Sequence, residues 1–182
     1  MGLRKGLFRH YASKIFAMVS SLNLCFEDFT FIDFGSGKGK ALLLASEFPI
    51  KKIIGVEFSP ELHSIAHRNI EKYNNPGQKC MFIESVFLDF ITFSLPHEPG
   101  VLYFFDPCYE TALAQTLENI RRSLQEYPRQ IVILYVSPVY ERLLDMAKFL
   151  QKSVKNEKYF FNVHEGAVHA AGANDKTSAV GG

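Results

Sequence analysis

Apolar residues fall into two alternating rhythms along this chain. Short, mostly β-branched or aromatic runs recur at 29–34 (FTFIDF), 52–57 (KIIGVE), 80–84 (CMFIE), 101–106 (VLYFFD), 130–136 (QIVILYV) and 158–163 (KYFFNV). They read as strands. Between them the spacing becomes helical. Leu7, Phe8, Tyr11, Ile15, Phe16, Val19 and Leu22 predict an amphipathic opening helix. Residues 38–48 predict a helix stopped by Pro49. Ser59-Pro60-Glu61 places a cap, a proline and an early acid at the start of a helix running to about Tyr73, ahead of an Asn-Asn-Pro-Gly turn. Ala112, Leu113, Thr116, Leu117, Ile120 and Leu124 share one face of a helix over 110–126. Ser137-Pro138 repeats the cap-and-proline start, and the pattern extends that last helix to about Lys152. From His164 the chain turns small and polar, and its end is expected to be disordered. No seventh strand is visible beyond KYFFNV.

Strands alternating with helices predict an α/β fold: a Rossmann-like, doubly wound, mostly parallel sheet with helices on both faces, in a single domain. The expected layout is an N-terminal helix over 1–24, a folded domain over 25–165 and a tail over 166–182. In such sheets ligands bind outside the carboxyl ends of the strands. The residues predicted at that rim are Asp33, Glu57, Glu84, Asp106 and Ser137, four of them acidic.

The first strand runs into Gly35, Gly37 and Gly39 at alternate positions. Glycine permits a sharp turn and a close ligand approach. A phosphate-binding P-loop would need glycine at Phe34 and a hydroxyl at Ala41. A nicotinamide fingerprint would need its third glycine at Lys40. What remains is Asp-x-Gly-x-Gly-x-Gly, with Glu57 ending the second strand where a carboxylate can accept both hydroxyls of a ribose.

That pattern resembles the first motif of class I S-adenosylmethionine-dependent methyltransferases, over about residues 25–165. The resemblance implies S-adenosyl-L-methionine as cofactor. Asp33 would orient its amino end, Gly35, Ser36, Gly37 and Gly39 would wrap the methionine and ribose, Glu57 would grip the ribose, and Phe58 would lie on the adenine. Relatives often carry an acid after the third strand to read the adenine amino group; here Val86 stands in its place and Asp89 comes three residues late. Either a backbone group at Ser85–Phe87 reads the adenine, or Asp89 does, or stacking holds it. The stretch Asp106-Pro107-Cys108-Tyr109 resembles the Asp/Asn-Pro-Pro-Tyr/Phe motif of amino-group methyltransferases, with Cys108 replacing a proline. It implies that Asp106 positions the acceptor beside the cofactor and that Tyr109 packs on it.

The rest of the composition narrows the setting. Net charge is +1 over 182 residues, which points to neither nucleic acid nor a membrane surface. No apolar run reaches the roughly 20 residues of a membrane span. Three widely spaced cysteines and no signal-peptide pattern point to a reducing, cytoplasmic setting. No metal is expected: His63 and His67 lie four apart on a helix but lack a zincin glutamate, and read as a boundary pair. Lys38 and Lys40 could touch an anion or simply lie on the helix surface. The expected activity is methyl transfer to an unidentified acceptor, an amine, a protein side chain or a small molecule. A domain that binds the cofactor without catalysis is the alternative.

Overall fold

The computed structural model describes Ser20, Leu22 and residues 24–105, 109–156 and 161–166. The predicted opening helix up to residue 19, Asp106 to Cys108 and the expected tail beyond Gly166 lie outside the described residues. Five parallel strands form the centre: β1 (Thr30–Phe34), β2 (Lys52–Glu57), β3 (Ile83–Phe87), β4 (Gly100–Phe105) and β5 (Ile131–Val136). Two antiparallel strands, β6 (Leu150–Asn156) and β7 (Phe161–Gly166), complete the sheet on the β5 side. The order is β3-β2-β1-β4-β5-β7-β6. Helices α1 (Lys40–Ala45), α2 (Pro60–Lys72), α3 (Glu110–Glu126) and α4 (Glu141–Met146) connect these strands.

Successive side chains of a strand point to opposite faces, and the central strands use both faces for core. Phe31, Ile53, Val101, Tyr103, Val132 and Leu134 face one way, packing with Leu42, Leu44 and Ala45 of the α1 segment. Ile32, Phe34, Ile54, Leu102, Phe104 and Ile133 face the other, beneath Leu113, Leu117, Ile120 and Leu124 of α3. All six residues of β5 are buried, as a strand covered on both sides requires. In the second core Phe34 stacks on Phe104, ring centroids 4.8 Å apart and planes at 10°, and meets Phe90 edge-on at 6.1 Å.

Three expectations give way. β3 begins at Ile83 rather than residue 80, pairing Ile53 with Ile83, and leaves Met81 and Phe82 exposed. As an edge strand it is half-buried, so hydrophobicity does not mark its start. The last helix ends at Met146, and residues 150–156 become β6 instead. Phe149-Leu150 suits either pattern locally; pairing with β7 decides it. Lys152 on β6 bridges back to Asp145 of α4 at 2.7 Å. The strand predicted at 158–163 sits at 161–166 as β7, and a seventh strand therefore exists.

Candidate functional site

The glycine loop lies at the carboxyl ends of β1 and β2. Gly35 and Gly39 adopt φ of 81° and 78°, a region that costs other residues roughly 1–2 kcal/mol. The Gly35 and Ser36 N–H groups both donate to the Val56 carbonyl, at 2.9 and 3.1 Å, which stitches the loop to β2. Gly39 donates to the Ser36 carbonyl at 2.9 Å and leads into α1. A Cβ on Gly39 would lie 3.2 Å from the Ala66 Cβ of α2, so the residue is needed for packing as well as for the turn. Gly37 is different: a Cβ there would meet nothing within 4 Å. The middle of the loop opens onto free space.

Glu57 ends β2 and is only 4% exposed. Its carboxylate accepts the Gly37 N–H at 2.8 Å through Oε2 and the Ser59 N–H at 2.9 Å through Oε1. Each oxygen keeps a second acceptor site. The same residue thus holds the loop in shape and presents acceptors at the rim. Ser59 caps α2 through its Oγ, which accepts the Leu62 N–H at 3.3 Å, and Pro60 follows at the first helical position.

Asp33 is one residue short of the end of β1 and 3% exposed. Burial, and secondarily the Glu57 charge, push its carboxyl from 3.8 up to about 8. At neutral pH Asp33 is therefore mostly protonated. A cleft of about 210 Å³ opens beside it, lined by Asp33, Gly35, Ser36, Lys40, Tyr103 and Phe105. The Ser36 Oγ is buried without a hydrogen-bond partner among the described residues.

On the other side of Glu57 two aromatic rings stand in solvent. Phe58 is 67% exposed, and Phe87, the register partner of Glu57, is also exposed. Ser85 Oγ lies 2.8 Å from His63 Nδ1. Val86 packs against the second core beside Val56. The Asp89 carboxylate accepts the Ile91 N–H at 3.1 Å, capping a short 3-10 turn over 90–92.

The structure therefore gathers Asp33, Gly35, Ser36, Gly37, Gly39, Glu57 and Phe58 at one rim. Tyr109, just ahead of α3, is 84% exposed; Asp106 lies outside the described residues. Glu84 leaves the rim. With β3 starting later, it is the strand's second residue and pairs with Lys52, at the opposite end of β2, at 2.7 Å. Ser137 leaves β5 at φ 53°. His63 and His67 sit side by side on α2, rings 6.5 Å apart, and no group of three metal-ligating side chains occurs among the described residues.

Two parts of the site escape a reading from pattern alone. Tyr103 and Phe105 line the cleft although they look like plain strand residues. Gly55, inside β2, clears the space under the loop: a Cβ there would fall 2.6 Å from Leu42 Cδ1 and 2.7 Å from Ser36 Oγ. An isolated glycine in an apolar strand was its one available signal. A larger groove of about 610 Å³ runs between residues 91–97 and α3. Several of its polar groups are engaged with one another: Asn119 donates to the Ile91 carbonyl at 2.7 Å, and Arg122 to Asn119 Oδ1 at 2.7 Å. Size alone does not make it the site.

No protein-family model matches the sequence, and no curated protein matches it. Solved structures do resemble the fold. A putative methyltransferase of Escherichia coli superposes with a TM-score of 0.61 at 11% identity, covering 87% of this chain and 86% of its own. An S-adenosylmethionine-dependent methyltransferase of Aquifex aeolicus gives 0.58 at 17% identity, covering 84% and 88%. Magnesium protoporphyrin IX methyltransferase of Synechocystis PCC 6803, solved with S-adenosylmethionine bound, gives 0.56 at 12%, covering 91% and 81%. The chain has the fold of the S-adenosylmethionine-dependent methyltransferases. No described helix is long and apolar enough to cross a membrane.

Proposed function

We propose that this protein is an S-adenosylmethionine-dependent methyltransferase. The observation that carries the reading is the glycine loop folded around the Glu57 carboxylate, with the cleft beside Asp33 on one side and exposed aromatic rings on the other. The chemistry of the donor set fits that cofactor. It is a cationic nucleoside without phosphates, and this rim offers carboxylates and aromatic faces. The open space at Gly37 leaves room over the loop. Glu57 has acceptor sites left for the ribose hydroxyls after binding the Gly37 and Ser59 N–H groups. Asp33 faces the amino end. Phe58 and Phe87 offer the adenine two apolar surfaces. With Val86 packed against the core and Asp89 committed to its turn, stacking is the favoured way to hold the base.

S-adenosylmethionine, when bound, supplies an electrophilic methyl carbon on a sulfonium. The chain's task is alignment of the acceptor, which is where such sites gain most of their rate. We assign that task to Asp106, following β4, with Tyr109 packing on the acceptor. Tyr109's exposure suits a group that meets a second substrate. The acceptor is unidentified; the resemblance of residues 106–109 to the amino-group motif favours an amine, on a protein side chain or a small molecule. Cys25 and Cys80 are free thiols, in keeping with a cytoplasmic setting.

Titration calorimetry with S-adenosylhomocysteine and with NADH tests the reading. Saturable binding of the first and none of the second is expected. Binding of NADH alone would replace the proposal with a nicotinamide enzyme.

A further inference from the structure

β3 ends the sheet, and no described strand pairs with its outer side. Edge strands that must stay solitary carry guards such as lysine, proline or a bulge. Residues 80–88, CMFIESVFL, hold neither lysine nor proline, and β3 runs in unbroken register with β2. Their one charge, Glu84, is already paired with Lys52 at 2.7 Å. Apolar side chains stand in solvent instead: Met81, Phe82, Phe87 and Leu88 are all exposed. A contiguous apolar stretch of this kind marks an interaction surface.

Backbone geometry decides what fits it. Ile53 donates to the Phe82 carbonyl at 2.8 Å, and Leu88 donates to the Glu57 carbonyl at 3.1 Å. In a strand the N–H and C=O of one residue point the same way, and the direction alternates along the chain. Even-numbered residues from 82 to 88 therefore turn their peptide groups toward β2, while Ile83, Ser85 and Phe87 turn theirs outward. The Ile83 N–H is taken up locally by the Met81 carbonyl at 3.2 Å. We propose that this edge pairs antiparallel with the same edge of a second copy of the chain, about a two-fold axis through Ser85 perpendicular to the sheet. Such an axis keeps each side chain on its own face. Ser85 exchanges N–H and carbonyl with the partner's Ser85, and each Phe87 N–H donates to the partner's Ile83 carbonyl. Phe82 meets the partner's Leu88, Phe87 meets the partner's Ile83, and Glu84 lies opposite the partner's Val86. An axis through Glu84 instead would set two carboxylates against each other. Both strands are already ordered, so a second copy pays less entropy on docking than a flexible peptide does. A net charge of +1 adds little repulsion between copies. Aromatic side chains bury about 150–250 Å² each, so Phe82 and Phe87 with Met81 and Leu88 bring the pair to on the order of 1,000 Å², the lower range of specific interfaces. Phe87 is also the register partner of Glu57, so the pairing brings the second copy to the rim of the glycine-loop site. The pairing itself does not depend on the methyltransferase reading.

Sedimentation equilibrium of the full chain from about 1 to 100 μM tests the inference. The wild-type mass should rise from 20.7 kDa toward twice that value. Phe82→Lys should weaken the pairing at least about tenfold, the scale of a central interface contact. Met81→Lys removes a comparable exposed apolar group but faces the partner's Asp89, so its dissociation constant should stay within about threefold of wild type. Met81 and Phe82 are 73% and 72% exposed, so neither substitution disturbs the fold of one copy. Amide hydrogen exchange gives a second reading on wild type alone. The Ser85 and Phe87 amides should slow as concentration rises, while those of Glu84 and Val86, turned toward β2, should hold steady. Wild type that stays monomeric at about 100 μM overturns the inference and leaves the edge to an extended peptide of another protein. Equal weakening in the two variants, or assembly beyond a dimer, overturns the register and with it the two-fold pairing. Exchange at Ser85 and Phe87 that ignores concentration overturns it as well.

Discussion

Replacing Asp33 by asparagine should make the free protein more stable at neutral pH, and the gain should depend on pH in a defined way. The carboxyl is buried, and its folded value stands near 8 against 3.8 in a water-exposed reference. Below pH 4 both the folded and unfolded chains hold the proton, and the site contributes no pH dependence. Between about 4 and 8 the unfolded chain ionises and the folded chain does not. Each pH unit in that window then favours unfolding by about 1.4 kcal/mol. At pH 7 the accumulated cost is about 4 kcal/mol. Asparagine keeps the shape and a donor but cannot ionise, so it removes the cost. Urea melts of both proteins at intervals from pH 4.5 to 7.5 should show the stability difference widening steadily in favour of Asp33→Asn. All other acids titrate alike in the two chains and cancel. A gap that stays flat across this range, or that widens in favour of the wild type, would refute the reasoning. The same variant should lose S-adenosylhomocysteine affinity. On the proposed reading the stabilising change disables the site, because the role assigned to Asp33 is to meet a cation rather than to hold the fold.

Glu57→Ala should weaken S-adenosylhomocysteine at least about tenfold by calorimetry. It removes the proposed ribose acceptor and releases the Gly37 and Ser59 N–H groups together; an unchanged Kd would remove Glu57 from the site. Gly55→Ala should cost about 1–3 kcal/mol in urea melts, because its methyl group overlaps Leu42 and Ser36 beneath the loop, and should lower cofactor affinity as the loop shifts. Phe34→Ala should cost about 3–5 kcal/mol through loss of its contacts with Phe104 and Phe90, with S-adenosylhomocysteine affinity preserved wherever the variant folds. Phe58→Ala should leave the melting midpoint unchanged, since the ring is solvent-exposed, yet weaken both S-adenosylhomocysteine and 5′-methylthioadenosine.

The central sheet was legible because its strands are long, apolar on both faces and bounded by turn chemistry. β2 and α3 fall where the pattern puts them, and Ser59-Pro60 starts α2 as a cap and proline should. The positive φ at Gly35, Gly37 and Gly39 follows from residue type, and Glu57 was visible as an acid closing an apolar run. The sheet's margins were not. Met81 and Phe82 look like strand core and are exposed, while Ser85 to Phe87 fall beyond the predicted strand and are paired. An edge strand is chosen by its neighbour's hydrogen bonds, not by its own hydrophobicity. Residues 147–152 carry a helical pattern, yet Leu150 onward becomes β6, because β7 needs a partner on the side away from β5.

The amino-acid order alone specified which segments turn, which are buried and which loop a ligand can approach closely, since these depend on single residues and short periods. Tertiary contact decided the rest. The Asp33 carboxyl keeps its proton because strands distant in sequence exclude water from it and bring the Glu57 charge near. Lys40 shares a cleft with Tyr103 and Phe105 because β4 lies beside β1. Desolvation and charge proximity act through space, so no stretch of sequence announces them.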